Sequence, residues 1–99
     1  MLPEQREALE LNKERIMESI DLQSVLRGLL KEGILTKTLN FEVIKRSSGE
    51  RVAKLLDILV TRGPNAFNVL CRVLKETGHP ELAYFLLKES YRKDEEIYW

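Results

Sequence analysis

A chain of 99 residues with 16 acidic and 16 basic side chains has a formal net charge of zero. It reads as one domain, without the basic excess of a general nucleic-acid or membrane-surface binder. Its apolar runs are only a few residues long, which excludes a transmembrane helix and a signal-peptide core, and its one cysteine, Cys71, excludes an intramolecular disulfide and fits a reducing compartment. The expected location is therefore the cytoplasm.

The valines and isoleucines fall at helical rather than alternating spacing, so six helices with short links are predicted. The first spans Pro3 to Ile20. Leu9, Ile16 and Ile20 share one face of it, but Lys13 falls inside that stripe and Leu11 falls opposite. A bend near Asn12 would relieve both faults, so this helix is expected to be kinked. The second runs from Asp21 to Glu32, with Leu22, Val25, Leu26, Leu29 and Leu30 in one stripe, and Gly33 ends it. Thr36 is placed to cap the third, which reaches about Arg46. Ser47-Ser48-Gly49 is a turn before the fourth, Glu50 to Arg62, whose stripe is Val52, Leu55, Leu56 and Leu59.

Gly63 can take the left-handed conformation that closes a helix, and Pro64 suits the first position of the next. The fifth helix, Pro64 to Thr77, has apolar residues round most of its circumference and leaves chiefly Asn68, Arg72, Lys75 and Glu76 for water. So wide an apolar arc predicts a central helix surrounded by the others. The sixth begins at His79-Pro80, buries Leu82, Phe85 and Leu86, and runs to about Lys93. Residues 1–93 make the domain, and 94–99 read as a tail or the start of a linker.

Catalytic chemistry finds no support in these residues. A Cys–His nucleophilic pair needs sulfur and imidazole side by side at an accessible site. Cys71 lies instead in the stripe of the most buried predicted helix, and His79 in a turn. No second Cys or His is present to complete a metal site, and the glycines form no phosphate-cradling loop. The expectation is a non-enzymatic chain without cofactors.

The charges are arranged more tellingly. Asp21, Gly28 and Glu32 fall on one line of the second helix, Glu42 could extend it, and Gly28 would leave room for a partner to approach. Arg51 and Arg62 fall on one line of the fourth helix, with Ile58 between and Lys54 adjacent. Opposed edges of this kind suit asymmetric contacts between like domains. From spacing alone, ordinary solvated faces are the better explanation in a chain that is one-third charged. Tyr84, Leu87 and Tyr91 form a second apolar line on the sixth helix. Packing against the first helix or against Ile97, Tyr98 and Trp99 is favoured over an open contact patch.

Several short motifs, taken in order, resemble the caspase recruitment domain. They are Leu2-Pro3-Glu4-Gln5-Arg6, Ile20-Asp21-Leu22, Val25-Leu26-Arg27-Gly28-Leu29-Leu30 and Gly33-Ile34-Leu35-Thr36. Leu55-Leu56-Asp57-Ile58-Leu59 with Arg62-Gly63-Pro64 and Ala66-Phe67 follows, then Leu74-Lys75-Glu76-Thr77-Gly78 with Leu82-Ala83. The similarity covers nearly the whole chain and is greatest to the recruitment domains of initiator caspases and their adaptors.

The resemblance implies an all-α, six-helix antiparallel bundle of the death fold, a Greek-key arrangement with a kinked first helix. It implies binding to another recruitment domain (of an apoptosome-type scaffold, an adaptor or an initiator caspase) in apoptosis signalling, with self-association as a further possibility. An adaptor, a stand-alone regulator and a self-polymerising scaffold remain alternatives. Carried over by residue, Lys13, Arg51 and Lys54 supply a basic face, which Arg62 could extend, and Asp21, Glu32 and Glu42 supply an acidic one. Glu10, Glu14 and Ala53 stand where strongly basic members carry more Arg or Lys, which dilutes the basic face.

Overall fold

A computed structural model describes residues 1–91 and contains seven helices among them. They are α1 (Pro3–Leu11), α2 (Lys13–Ser19), α3 (Leu22–Lys31), α4 (Lys37–Ile44), α5 (Ser48–Leu59), α6 (Ala66–Glu76) and α7 (Pro80–Ser90). The expected end of the last helix at Lys93, and the tail 94–99, lie outside the described residues.

The count rises from six to seven because the first predicted helix breaks at Asn12, where the bend was expected. Asn12 sits at φ −104°, ψ 8°, off helical geometry. Its side-chain Nδ2 donates to the Ala8 carbonyl at 2.9 Å while its own carbonyl accepts from Ile16 N at 2.8 Å. A buried side-chain amide thus supplies the local bonding that a break in the ladder requires. The bend corrects only part of the pattern. Lys13 is half-buried, and Leu11 remains 62% exposed.

The link after α5 also departs from expectation. α5 stops at Leu59, not Arg62, because the backbone tightens into shorter-range bonds: Thr61 N donates to Ile58 O at 3.0 Å and Arg62 N to Leu59 O at 3.1 Å. The Thr61 hydroxyl also donates to Ile58 O, at 2.7 Å, giving the chain a local alternative to another helical turn. Gly63 has φ +93°, as its expected role requires. Pro64 is not the first residue of the next helix. Residues 64 and 65 form a turn and α6 begins at Ala66. At the other end α5 starts at Ser48, two residues early, so Gly49 is helical. The Thr36 cap is present, with Oγ1 accepting from Leu39 N at 3.1 Å.

α6 is the central element. Ala66, Phe67, Leu70, Cys71, Val73 and Leu74 are all buried, and it packs on both α3 and α7. α1 rests on α7, α2 on α5, and α4 on α5 and α3. Apolar surface removed from water contributes about 25 cal/mol per Å², so this shared core is the main source of stability. The same burial acts on Cys71. It pushes the thiol from its ordinary 9.0 up to about 12, against a smaller opposing effect of the Lys75 charge.

A raised folded-state pKa means that the native chain keeps a proton the unfolded chain releases. The associated stability is full below about pH 9 and is lost as pH rises toward about 12. Cys71→Ala is therefore expected to flatten the alkaline fall in stability relative to wild type. Urea midpoints measured at about pH 8 and about pH 10.5 check this; parallel declines in the two proteins would contradict it.

Candidate protein-interaction surface

The basic side chains singled out in the sequence fall on α2, α5 and the link after α5. Lys13 opens α2, and Arg51 and Lys54 lie on α5; all three are half-buried. Arg51 Nε donates to the Arg46 carbonyl at 2.9 Å, which ties the side chain to the α4–α5 link. Arg62 Nε donates to the Ile34 carbonyl at 2.8 Å and ties the α5–α6 link to the α3–α4 link. In both arginines the stem-side nitrogen is anchored to backbone, and the two terminal nitrogens form the fork that pairs with carboxylates. A guanidinium already held in place loses less side-chain entropy on binding than a free lysine does.

The acidic residues do not form one continuous edge in their interactions. Asp21 immediately precedes α3 without a side-chain capping bond, and its Oδ2 accepts from Ser24 Oγ at 2.7 Å. That hydrogen bond, with the Arg27 charge behind it, holds its carboxyl below the usual range against an opposing desolvation. Glu32, at the far end of α3, forms an ion pair with Arg72 of α6. Glu42 pairs with Lys45 at 3.0 Å, and Lys45, Lys54 and Arg46 together hold its carboxyl below the usual range. Its charged surroundings are thus the bases of the α4–α5 region. Gly28 differs from expectation. An added Cβ would lie 2.6 Å from Val73 Cγ1, so the close approach at this glycine is made by α6 of the same domain, not by a partner.

Three features escaped the sequence reading. His79 is more than a turn residue: its Nε2 accepts from Asp21 N at 2.9 Å, and its Nδ1 lies 3.1 Å from Thr77 Oγ1. Because Nε2 accepts, the ring proton sits on Nδ1 and donates to Thr77, whose hydroxyl donates in turn to Val73 O at 2.8 Å. This chain of bonds joins the start of α3 to the α6–α7 link. Arg15 lies over the Phe85 ring, 4.2 Å from its centroid, and joins α2 to α7. Phe41 and Ile44 on α4 are exposed. Their spacing of three on one helix was the available signal.

Tyr84 and Tyr91 are exposed and Leu87 is half-buried against the core. The proposed cover by Ile97, Tyr98 and Trp99 lies outside the described residues. Among the described residues, no group of three or more His, Cys, Asp or Glu side chains is arranged to hold a metal, and no helix is long and apolar enough to cross a membrane.

Comparison with known proteins agrees with this helical architecture. The chain is 32% identical over 85 residues to Caspase-2 of Gallus gallus, a match covering 84% of this chain and 20% of that protein. It thus spans about one-fifth of the length of that curated relative. No solved structure matches it. The family model of the caspase recruitment domain, a non-catalytic interaction domain, matches residues 6–89. That span takes in α2 to α6 whole and all but the ends of α1 and α7. With its buried central α6 and broken first helix, this death-fold bundle belongs to the caspase recruitment domain family.

Proposed function

We propose that this domain recruits an initiator caspase to an activating scaffold or adaptor in the cytoplasm, by pairing with a second recruitment domain in apoptosis signalling. Residues 1–93 act as the interaction unit, with 94–99 a tail or the start of a linker. The anchored Arg51 fork beside Lys54 carries the reading. Residues 37–62 contain six basic side chains against three acidic ones, in a chain whose total charge is zero. This local excess favours an acidic helical face on the partner. Lys13 and Arg62 extend the basic side. Asp21, Glu32 and Glu42 are the candidates for an acidic side that a different partner would meet. Recruitment works by proximity, since tethering two chains replaces a bimolecular encounter with an effective concentration as high as millimolar for short linkers.

The test is Arg51→Glu, assayed against a panel of purified recruitment domains from caspases, adaptors and scaffolds. The expected result is a loss of about tenfold or more in affinity for the partner that wild type binds, with a weaker salt dependence. The helical circular dichroism spectrum stays unchanged. Unaltered affinity in a folded Arg51→Glu protein would remove the basic face from the interaction.

A further inference from the structure

The link between α4 and α5 is the most open stretch of the domain. Residues 44–50 are exposed without interruption, the longest such run among the described residues. The run holds Lys45-Arg46-Ser47-Ser48, and no other serine or threonine in the chain has two cations among the three residues before it. The hydroxyls of this pair are idle. Ser47 and Glu50 have the spacing of a capping box, yet Ser47 makes no side-chain capping bond, and Ser48 makes no side-chain hydrogen bond. Ser24 Oγ, in contrast, donates to Asp21 and Ser90 Oγ to the Leu87 carbonyl.

The same link holds the side chain on which the recruitment reading rests. Arg51 Nε donates to the Arg46 carbonyl at 2.9 Å, which draws the guanidinium back toward the residues just before α5. Ser48 and Arg51 are three apart on α5 and are therefore neighbours on its surface. The two terminal nitrogens of an arginine fit a phosphate as well as a carboxylate.

We propose that Ser48 is phosphorylated by a protein kinase with an acidic substrate groove, and that the phosphate occupies the Arg51 fork and silences the basic face. Lys45 and Arg46 stand three and two positions before the acceptor, where carboxylates of such a groove would meet them. Ser47 is already extended, at φ −62° and ψ 154°, as a substrate chain lies in a binding groove. α5 need only fray its first turn, where no side-chain cap holds the end and Gly49 is a weak helix former. Ser48 Oγ attacks the terminal phosphorus of ATP. The new oxygen–phosphorus bond forms as the bond from that phosphorus to the bridging oxygen breaks. ADP leaves with the electron pair, and the hydroxyl proton passes to a carboxylate base of the kinase.

Residues 37–62 carry a net charge of +3. A phosphoserine brings about −1.5 to −2 at pH 7, so the local excess falls to about +1. The silencing rests on the recruitment reading of Arg51; the modification of Ser48 does not.

The 99-residue chain is incubated with magnesium, ATP and the catalytic subunit of cyclic-AMP-dependent protein kinase, whose groove is of this acidic type. The intact mass is expected to rise by one phosphoryl group, mapped to Ser48 by peptide mass spectrometry. Ser48→Ala should abolish the label, Ser47→Ala should keep it, and Arg46→Gln should slow it by about tenfold or more. No label, or a label mapped to Ser47, would overturn the site. The mapping is made on wild type, so it decides the acceptor even where a variant fails to fold. Phosphorus NMR then follows the second ionisation of the phosphate. Its midpoint should lie below about pH 6 in wild type and return toward about 6 in Arg51→Gln. Equal midpoints would overturn the capture by Arg51.

The phosphorylated chain should bind the recruitment domain that wild type binds about tenfold or more weakly, as Arg51→Glu does. If Arg51→Glu weakens binding and phosphorylation does not, the silencing is overturned and the recruitment reading stands. If Arg51→Glu leaves affinity unchanged, the recruitment reading fails and the silencing with it, while the label and the phosphate titration still decide whether Ser48 is modified and whether Arg51 holds the phosphate.

Discussion

Phe67→Ala is expected to lower the free energy of unfolding by about 3–5 kcal/mol. Phe67 is the largest fully buried side chain among the described residues, and it lies in the first turn of α6. Two costs add: the lost transfer of the ring out of water, and the void that a close-packed interior fills only in part. A domain of this length typically has about 5–15 kcal/mol of stability in total, so the loss is a large fraction of it. At roughly 4–8 °C per kcal/mol, the midpoint of thermal unfolding should fall by more than about 12 °C. Urea unfolding followed by circular dichroism checks the value. A change below about 1 kcal/mol would mean that α6 is not the centre of the core. The effect would also reach function, because α6 supports α3 and α7, and Arg72 on α6 holds Glu32.

Local chemistry was the readable part of the fold. The stripe of α3, the Thr36 cap and the wide apolar arc of α6 each follow from neighbours within a few positions, and the structure has all three. The bend at Asn12 was readable as a conflict, with Lys13 and Leu11 on the wrong sides of one straight helix. Its cause, a buried Asn12 amide bonded to Ala8, was not. The early end of α5 was missed because the Thr61 hydroxyl competes for the Ile58 carbonyl, and nothing in the apolar pattern records that competition.

The surface was harder to read, because the partners of exposed charges are set by helix packing. His79 meets Asp21 across 58 positions, Arg72 meets Glu32 across 40, and Arg62 meets Ile34 across 28. No spacing rule reaches that far. The residues nominated as an acidic edge share a charge sign and a solvent-facing position, and those are properties a sequence carries. What each is bonded to depends on which helix lies alongside, and there Glu32 and Glu42 already have basic neighbours. The family resemblance supplied the interaction role that composition and spacing alone did not.

Gly28→Ala is expected to destabilise the domain by about 1–3 kcal/mol, although an exposed helical glycine usually gains about 1 kcal/mol from the same change. The sign turns on one distance. The new methyl would lie 2.6 Å from Val73 Cγ1, closer than carbon atoms approach without something moving. Val73 cannot swing aside cheaply, because it is β-branched, sits within α6 and is fully buried. α3 and α6 must therefore separate, and the Glu32–Arg72 pair at the end of the same seam would be pulled apart as well. Breaking that exposed pair adds little by itself, so overpacking carries the effect.

The double variant Gly28→Ala/Val73→Ala isolates the cause. Val73→Ala alone opens a small cavity and costs stability; in the double variant the methyl added at position 28 occupies part of that space. The two changes should then be less costly together than the sum of each alone, by about 1 kcal/mol or more in a double-mutant cycle. Strict additivity would show that Val73 does not set the spacing at Gly28. Coupling would show that this glycine belongs to the packing of α3 on α6, and that the line from Asp21 to Glu32 is held against its own domain before any partner arrives.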